Sequence, residues 1–216
     1  CEGNQEDFSK LNITNTQIYN SSNFGILGRA TSIFGENLVI NSSGQSSFAG
    51  TYGGRYNFVH STITNYWNKS LRQFPAILLN NYIINEDNSV QLNALETADF
   101  TNTIIFGNDN LELLLDKNND ATFNFKFTNC LIKFSDPNNN LNTEEYDFDN
   151  TNYYENIRVN EDPEFLDPFQ NKLQIPNLSP SDGAGIISGN LFLDILGTTR
   201  SNPPDLGAYE STVFDN

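Results

Sequence analysis

Thr101-Asn102-Thr103-Ile104-Ile105-Phe106 and Thr128-Asn129-Cys130-Leu131-Ile132-Lys133 can be laid over one another, and reading them as one motif decides the fold. Four further segments take the same register: Asn15-Thr16-Gln17-Ile18-Tyr19-Asn20, Glu36-Asn37-Leu38-Val39-Ile40-Asn41, His60-Ser61-Thr62-Ile63-Thr64-Asn65 and Asn80-Asn81-Tyr82-Ile83-Ile84-Asn85. The fourth position is always aliphatic (Ile18, Val39, Ile63, Ile83, Ile104, Leu131). Two residues earlier the side chain is small or polar (Thr16, Asn37, Ser61, Asn81, Asn102, Asn129). Successive anchors lie 21, 24, 20, 21 and 27 residues apart. Short β-prone runs recurring in the low twenties between Asn, Ser and Gly turns mark a solenoid whose coils stack in register. About six coils at roughly 4.8 Å each make a prism about 30 Å tall. The expected fold is all-β, a parallel β-helix with the anchors as one inner column and turn Asn side chains stacking as a ladder.

A second short strand precedes each anchor: Leu11-Asn12-Ile13, Ile33-Phe34, Asn57-Phe58-Val59, Ala76-Ile77-Leu78-Leu79, Phe100, and Phe125-Lys126-Phe127. In the last two the apolar positions slip by one, which predicts a bend or bulge. No helical period is sustained, residues 89–96 being the best short stretch. The Leu-x-x-Leu-x-Leu frame of a leucine-rich repeat is absent. Residues 1–134 are assigned to the coils and 135–156 to an acidic, Asn-rich surface loop. Residues 157–216 are assigned to a C-terminal coil and irregular cap, since residues 157–210 hold six of the eight prolines. Leu11 already belongs to a coil, leaving ten residues for an N-terminal cap, so upstream coils or a covering partner are expected there.

Composition narrows the function classes. The 17 Phe and 9 Tyr argue for a folded chain, and the 35 Asn suit many tight turns. A net charge of −16 with no basic run disfavours nucleic acid. It also opposes polyanionic substrates. Two cysteines, Cys1 and Cys130, give neither a disulfide framework nor a zinc-ligand pattern. Cys130, in an apolar run, reads as a small buried hydrophobe. No apolar stretch approaches the roughly 18 residues that span a bilayer.

The C-terminal run Asp162-Pro163-Glu164-Phe165, Ser179-Pro180, Asp182, Gly185, Asp194, Gly197, Arg200 and Asp205-Leu206-Gly207-Ala208-Tyr209-Glu210 resembles the closing region of bacterial right-handed parallel β-helix proteins. It is similar in particular to Bacteroidetes surface proteins of the choice-of-anchor Q group, although Ser181-Asp182-Gly183 departs from their Ala-Ile-Asp arrangement. The resemblance implies a right-handed parallel β-helix and an extracellular, cell-surface location, with the Asp, Arg and Glu residues as ion pairs of the cap. It does not imply an activity. Cys1-Glu2-Gly3-Asn4-Gln5-Glu6-Asp7 resembles the acidic tether after the lipidated cysteine of such outer-membrane lipoproteins, which makes a lipid anchor at Cys1 the one expected membrane contact.

Candidate sites are few. Pectate-lyase-like carboxylate and Arg clusters are missing, Arg72-Gln73-Phe74-Pro75 having the wrong spacing. The paired aspartates and Gly-His-Gly of polygalacturonases are missing too. Tyr66, Trp67, Arg72 and the single histidine, His60, form the candidate ligand-binding set, aromatic faces beside a cation being able to stack sugars. Asp116, Asn118 and Asp120 alternate as in some Ca²⁺ loops, although Ala121 and Phe127 replace the Gly and Glu of an EF-hand. A structural calcium is the one cofactor considered. These readings favour a non-catalytic surface module that binds an extracellular polysaccharide or a surface protein, or that forms part of an outer-membrane surface assembly. The alternative is a polysaccharide lyase or glycoside hydrolase with a cleft completed by upstream coils.

Overall fold

The structure, a computed structural model, describes residues 1–7, 10–189 and 191–214. Nearly all of its regular structure is β, and twelve strands join one large parallel sheet curled into a half-barrel. The strands fall into six stacked levels. The first is β1 (Leu11–Ser21) and the second β2 (Ile26–Ser43). The third holds β3 (Phe48–Val59) and β4 (Thr62–Asn65). The fourth holds β5 (Ile77–Asn80), a hairpin of β6 (Tyr82–Ile84) and β7 (Val90–Leu92), then β8 (Leu95–Thr101) and β9 (Ile104–Gly107). The fifth holds β10 (Leu113–Asp116), β11 (Lys126–Thr128) and β12 (Leu131–Ile132), and the sixth β13 (Tyr154–Glu155) and β14 (Arg158–Val159).

Each level turns a corner at a residue with positive φ: Asn15, Asn37, His60, Asn102, Asn129 and Asn156, all between 47° and 53°. Asn tolerates this left-handed geometry because its short amide bonds locally. Two residues before the corner an inward column stacks Ile13, Gly35, Phe58, Phe100, Phe127 and Tyr154. Three residues after it a second inward column stacks Ile18, Ile40, Ile63, Ile105, Ile132 and Val159. The rings of Phe58, Phe100, Phe127 and Tyr154 lie nearly parallel with centroids 5.3, 4.9 and 5.6 Å apart. Such contacts add about 0.5–1.5 kcal/mol each beyond the area they bury. Gly35 is small because the Phe58 ring would lie 2.5 Å from any Cβ there.

The six anchors of the sequence motif do not form one column. Ile18 and Ile63 point inward, whereas Val39, Ile104 and Leu131 are one residue out of register and lie in the neighbouring column. A one-residue slip moves a strand's side chains to the other face. Here both faces are covered, so the aliphatic pattern does not distinguish them. Ile83 belongs to no level. It sits in the antiparallel β6–β7 hairpin, opposite Gln91, as an excursion from the fourth level. The sixth level is supplied instead by residues 154–159. Register irregularities fall at Arg29/Thr31 and at Gly54/Arg55. The second passes over Glu96 in β8, the strand that leads to the Ile104 anchor, where a bulge is expected, whereas the pairings of β11 show none.

Val39, Ile104 and Leu131 are buried because the C-terminal segment lies against their face, with Leu173, Ile175, Leu206, Ala208 and Tyr209 packed on them. This segment runs along the side of the stack rather than over its end. The corner Asn side chains hold it: Asn129 Nδ2 donates to the Ala184 carbonyl (2.9 Å) and Asn37 Nδ2 to that of Leu193 (3.0 Å). Asn102 pairs with both backbone groups of Ile186. The far end of the stack is covered by the acidic loop. Its Tyr146 and Phe148 pack on Phe134 and Tyr154, and the Tyr146 hydroxyl accepts from the Leu115 amide at 2.8 Å.

Candidate binding groove

The four residues read as a ligand set are each held by different neighbours. His60 is a corner residue and 1% exposed. The Asn102 amide lies 2.8 Å from its Nε2 and makes that nitrogen an acceptor. Burial, then the Arg200 charge, lowers its pKa to about 3, against the pull of the Gly207 and Asp205 carbonyls, so the ring is neutral. Tyr66 turns toward the C-terminal segment, its ring edge-on to Phe165 and Phe169. Burial raises its phenol, helped by Asp162 and Glu112. Trp67 bonds Ser70 through Nε1 at 2.9 Å, with the Lys69 ammonium 5.3 Å from the ring.

Arg72 is closed off. Its side chain is 3% exposed and grips Glu112 through two 2.7 Å bonds, with Asp109, Asn108 and the Phe74 carbonyl on its remaining edges. Glu112, 0% exposed, also accepts from the Ala76 and Asp109 amides. Burial pushes its carboxyl up to about 7, with Arg72 and both amides pulling it down. A buried pair this enclosed locks the 66–75 loop onto the 107–112 turn. Glu112 was invisible in the sequence because nothing local separates it from any acidic turn residue.

The Ca²⁺-like loop is likewise engaged within the fold. The Tyr82 hydroxyl donates to both Asp116 oxygens at 3.0 and 2.9 Å. The Asn118 backbone is clamped at N–H and C=O by the Asn81 side chain, and its Oδ1 accepts from the Asp120 amide. Among the described residues no group of three or more His, Cys, Asp or Glu side chains is arranged to hold a metal. The acidic residues that resemble a β-helix closing region serve similarly. Asp194 accepts from the Leu196, Thr198 and Glu210 amides, and Arg200 pairs with Glu210 at 3.1 Å while reaching Asn37 at 2.7 Å. Cys130 is fully buried, which lifts its thiol to about 12.

What stays open is a groove of about 590 Å³ on the flank away from the C-terminal segment, lined by Arg29, Thr51, Asn80, Tyr82, Ile83, Ile84, Asn85 and Glu86. That volume suits a small ligand. Its floor is a ladder. Arg29 stands opposite Thr51 just before the register shift between β2 and β3, and Asn80 opposite Asp116 at the ends of β5 and β10. The β6–β7 hairpin forms the wall, raised by a turn in which Asn88 takes positive φ and Asp87 caps Ser89. Tyr82 is fixed there because its hydroxyl is tied to Asp116, which leaves the ring as a preset platform. Asn80 Oδ1 accepts from the Tyr52 amide at 2.7 Å, so the orientation of its side-chain amide is also set. Two other depressions are lined differently: one of about 730 Å³ lies beside residues 191–197 with Asn15 and Asn37, and one of about 520 Å³ lies within the acidic loop.

No family model, no curated protein and no solved structure matches the chain.

Proposed function

We propose that the chain is a non-catalytic cell-surface module, built as a right-handed parallel β-helix, that holds a polysaccharide in the groove between the sheet flank and the β6–β7 hairpin. Right-handed winding is favoured because about 98% of crossovers between parallel strands of one sheet take that hand. The surface location rests on the resemblance of the C-terminal run. The observation that carries the binding role is the groove itself, where polar side chains stand at strand spacing on adjacent levels beside a tethered tyrosine ring. Sugars present an apolar face to stack on such a ring and hydroxyls to meet amides and carboxylates. A non-catalytic role is supported by the fate of the strongest acid–base groups: Arg72–Glu112 and Arg200–Glu210 are closed ion pairs, and His60 is buried and neutral.

Affinity electrophoresis through gels cast with a panel of polysaccharides tests this. Retardation by at least one of them, roughly tenfold weaker for Tyr82→Ala (about 1.4 kcal/mol) and without release of new reducing ends, is the expected result. Product formation would replace the binding role with an enzymatic one. Equal retardation of Tyr82→Ala would move the site out of the groove.

A further inference from the structure

We infer that the groove selects uncharged glycans and rejects uronate-containing ones, an inference that rests on the glycan-binding reading above. The groove has one cation, Arg29, and its Nε already faces Glu2 Oε1 at 3.5 Å. Against it stand Glu86 on the rim and Asp116 beneath the Tyr82 hydroxyl. The chain around them carries a net charge of −16. A uronate polymer would bring a carboxylate on every sugar to a surface whose one guanidinium is already paired with Glu2 and which keeps two further acids, Glu86 and Asp116. Like charges a few ångströms apart repel, and dissolved salt screens them strongly only beyond roughly 8–10 Å at moderate ionic strength. The groups that remain for recognition are hydroxyl readers. Asn80 keeps its Nδ2, and Asn85, whose Nδ2 donates to Ser89 Oγ at 2.8 Å, keeps its Oδ1, while Thr51, whose hydroxyl reaches back to the Gly28 carbonyl at 3.2 Å, presents a methyl and a weak polar edge. With the Tyr82 ring they match the alternation of C–H face and hydroxyl edge that a neutral sugar offers.

The arrangement also distinguishes this groove from the buried cations of the molecule. Arg72 and Arg200, the residues best suited to gripping a carboxylate, have side chains only 3% exposed and cannot reach a polymer. Selection against acidic glycans therefore follows from where the chain has placed its positive charge as well as from the acids at the groove.

Titration calorimetry in EDTA, so that no divalent ion bridges the carboxylates, decides it. The probes are hexameric glucan, xylan and mannan oligosaccharides and hexagalacturonate, each with the wild type and with Tyr82→Ala and Glu86→Gln. The expected result is that at least one neutral hexamer binds about tenfold or more tightly than hexagalacturonate at about 20 mM salt. The gap should narrow at about 500 mM salt, where the screening length falls below 5 Å. Tyr82→Ala weakens the neutral ligand, and Glu86→Gln narrows the gap, the exposed turn position keeping that variant folded. Hexagalacturonate binding as tightly as the neutral hexamers overturns the selectivity and leaves the glycan-binding reading standing. Binding of none of the four overturns that reading and the selectivity with it.

Discussion

The two flanks of the stack treat the same residue types in opposite ways. On one flank the C-terminal segment and the 66–75 loop enclose Arg72, Glu112, Arg200 and His60. Arg72 and Arg200 keep 3% of their side chains exposed, and His60 1% of its surface. On the other flank Arg29 keeps 44%, its partner Glu2 75%, and the polar rungs face solvent beside the hairpin. The covered flank uses polar groups to fix the chain, and the open flank leaves them in reach of solvent. An arginine near aromatic residues in sequence does not reveal which of these it will do. That depends on whether a distant segment folds over it.

The strongest way to break this contrast is Arg72→Ala. The change leaves Glu112 at 0% exposure with two backbone amides but no cation. Removing one partner of a buried pair costs about 3–5 kcal/mol, and urea unfolding at pH 8 should show a loss of that size. Glu112 already has its carboxyl pushed up to about 7, so without Arg72 it takes a proton more readily still. The penalty should therefore shrink as pH falls toward 5. A loss below about 1 kcal/mol at pH 8 would mean that the 66–75 loop simply lifts away and lets water reach Glu112.

The parallel stacking was legible from Asn102 and Asn129 and their neighbours, because the left-handed corner, the turn chemistry and the β-prone runs recur together. Which aliphatic residue points inward was not, since both faces of those strands end up buried and Val39 looks no different from Ile40. The corner itself is the better frame: inward residues lie two before and three after it. His60 hid that frame by standing where the other five levels carry Asn. Ile83 was misplaced because a hairpin of three-residue strands mimics one rung of the repeat. The groove was illegible for a related reason: Arg29, Thr51, Asn80 and Tyr82 come from three different levels, and only the register brings them together.

His60 gives the second test. Its ring is neutral in the fold, with a pKa near 3, and regains its ordinary value of 6.5 on unfolding. The unfolded chain thus binds the extra proton between those values. The stability tied to this residue is complete above pH 6.5 and is lost progressively as pH falls toward 3. His60→Asn restores the common corner residue and removes the proton. Relative to wild type the variant should gain on the order of 2 kcal/mol between pH 8 and pH 5, read from paired urea curves at each pH. Parallel pH profiles would show that the imidazole is hydrated and charged in the fold, and the covered flank would not be closed at that corner.

The smallest expected effect sharpens the comparison from the open side. Arg29 and Glu2 form an exposed pair at 3.5 Å, and such pairs contribute about 0–1 kcal/mol. Arg29→Gln should therefore shift unfolding by no more than about 0.5 kcal/mol, with the difference vanishing at high salt as the pair is screened. A loss comparable to that of Arg72→Ala would mean that Arg29 braces the first residues against β2, where the Cys1 carbonyl already accepts from the Arg29 amide at 2.9 Å. The rung would then be part of the scaffold, and the groove would begin at Thr51 rather than at the edge of the second level. A negligible loss keeps Arg29 where its exposure puts it, on a surface the fold can do without.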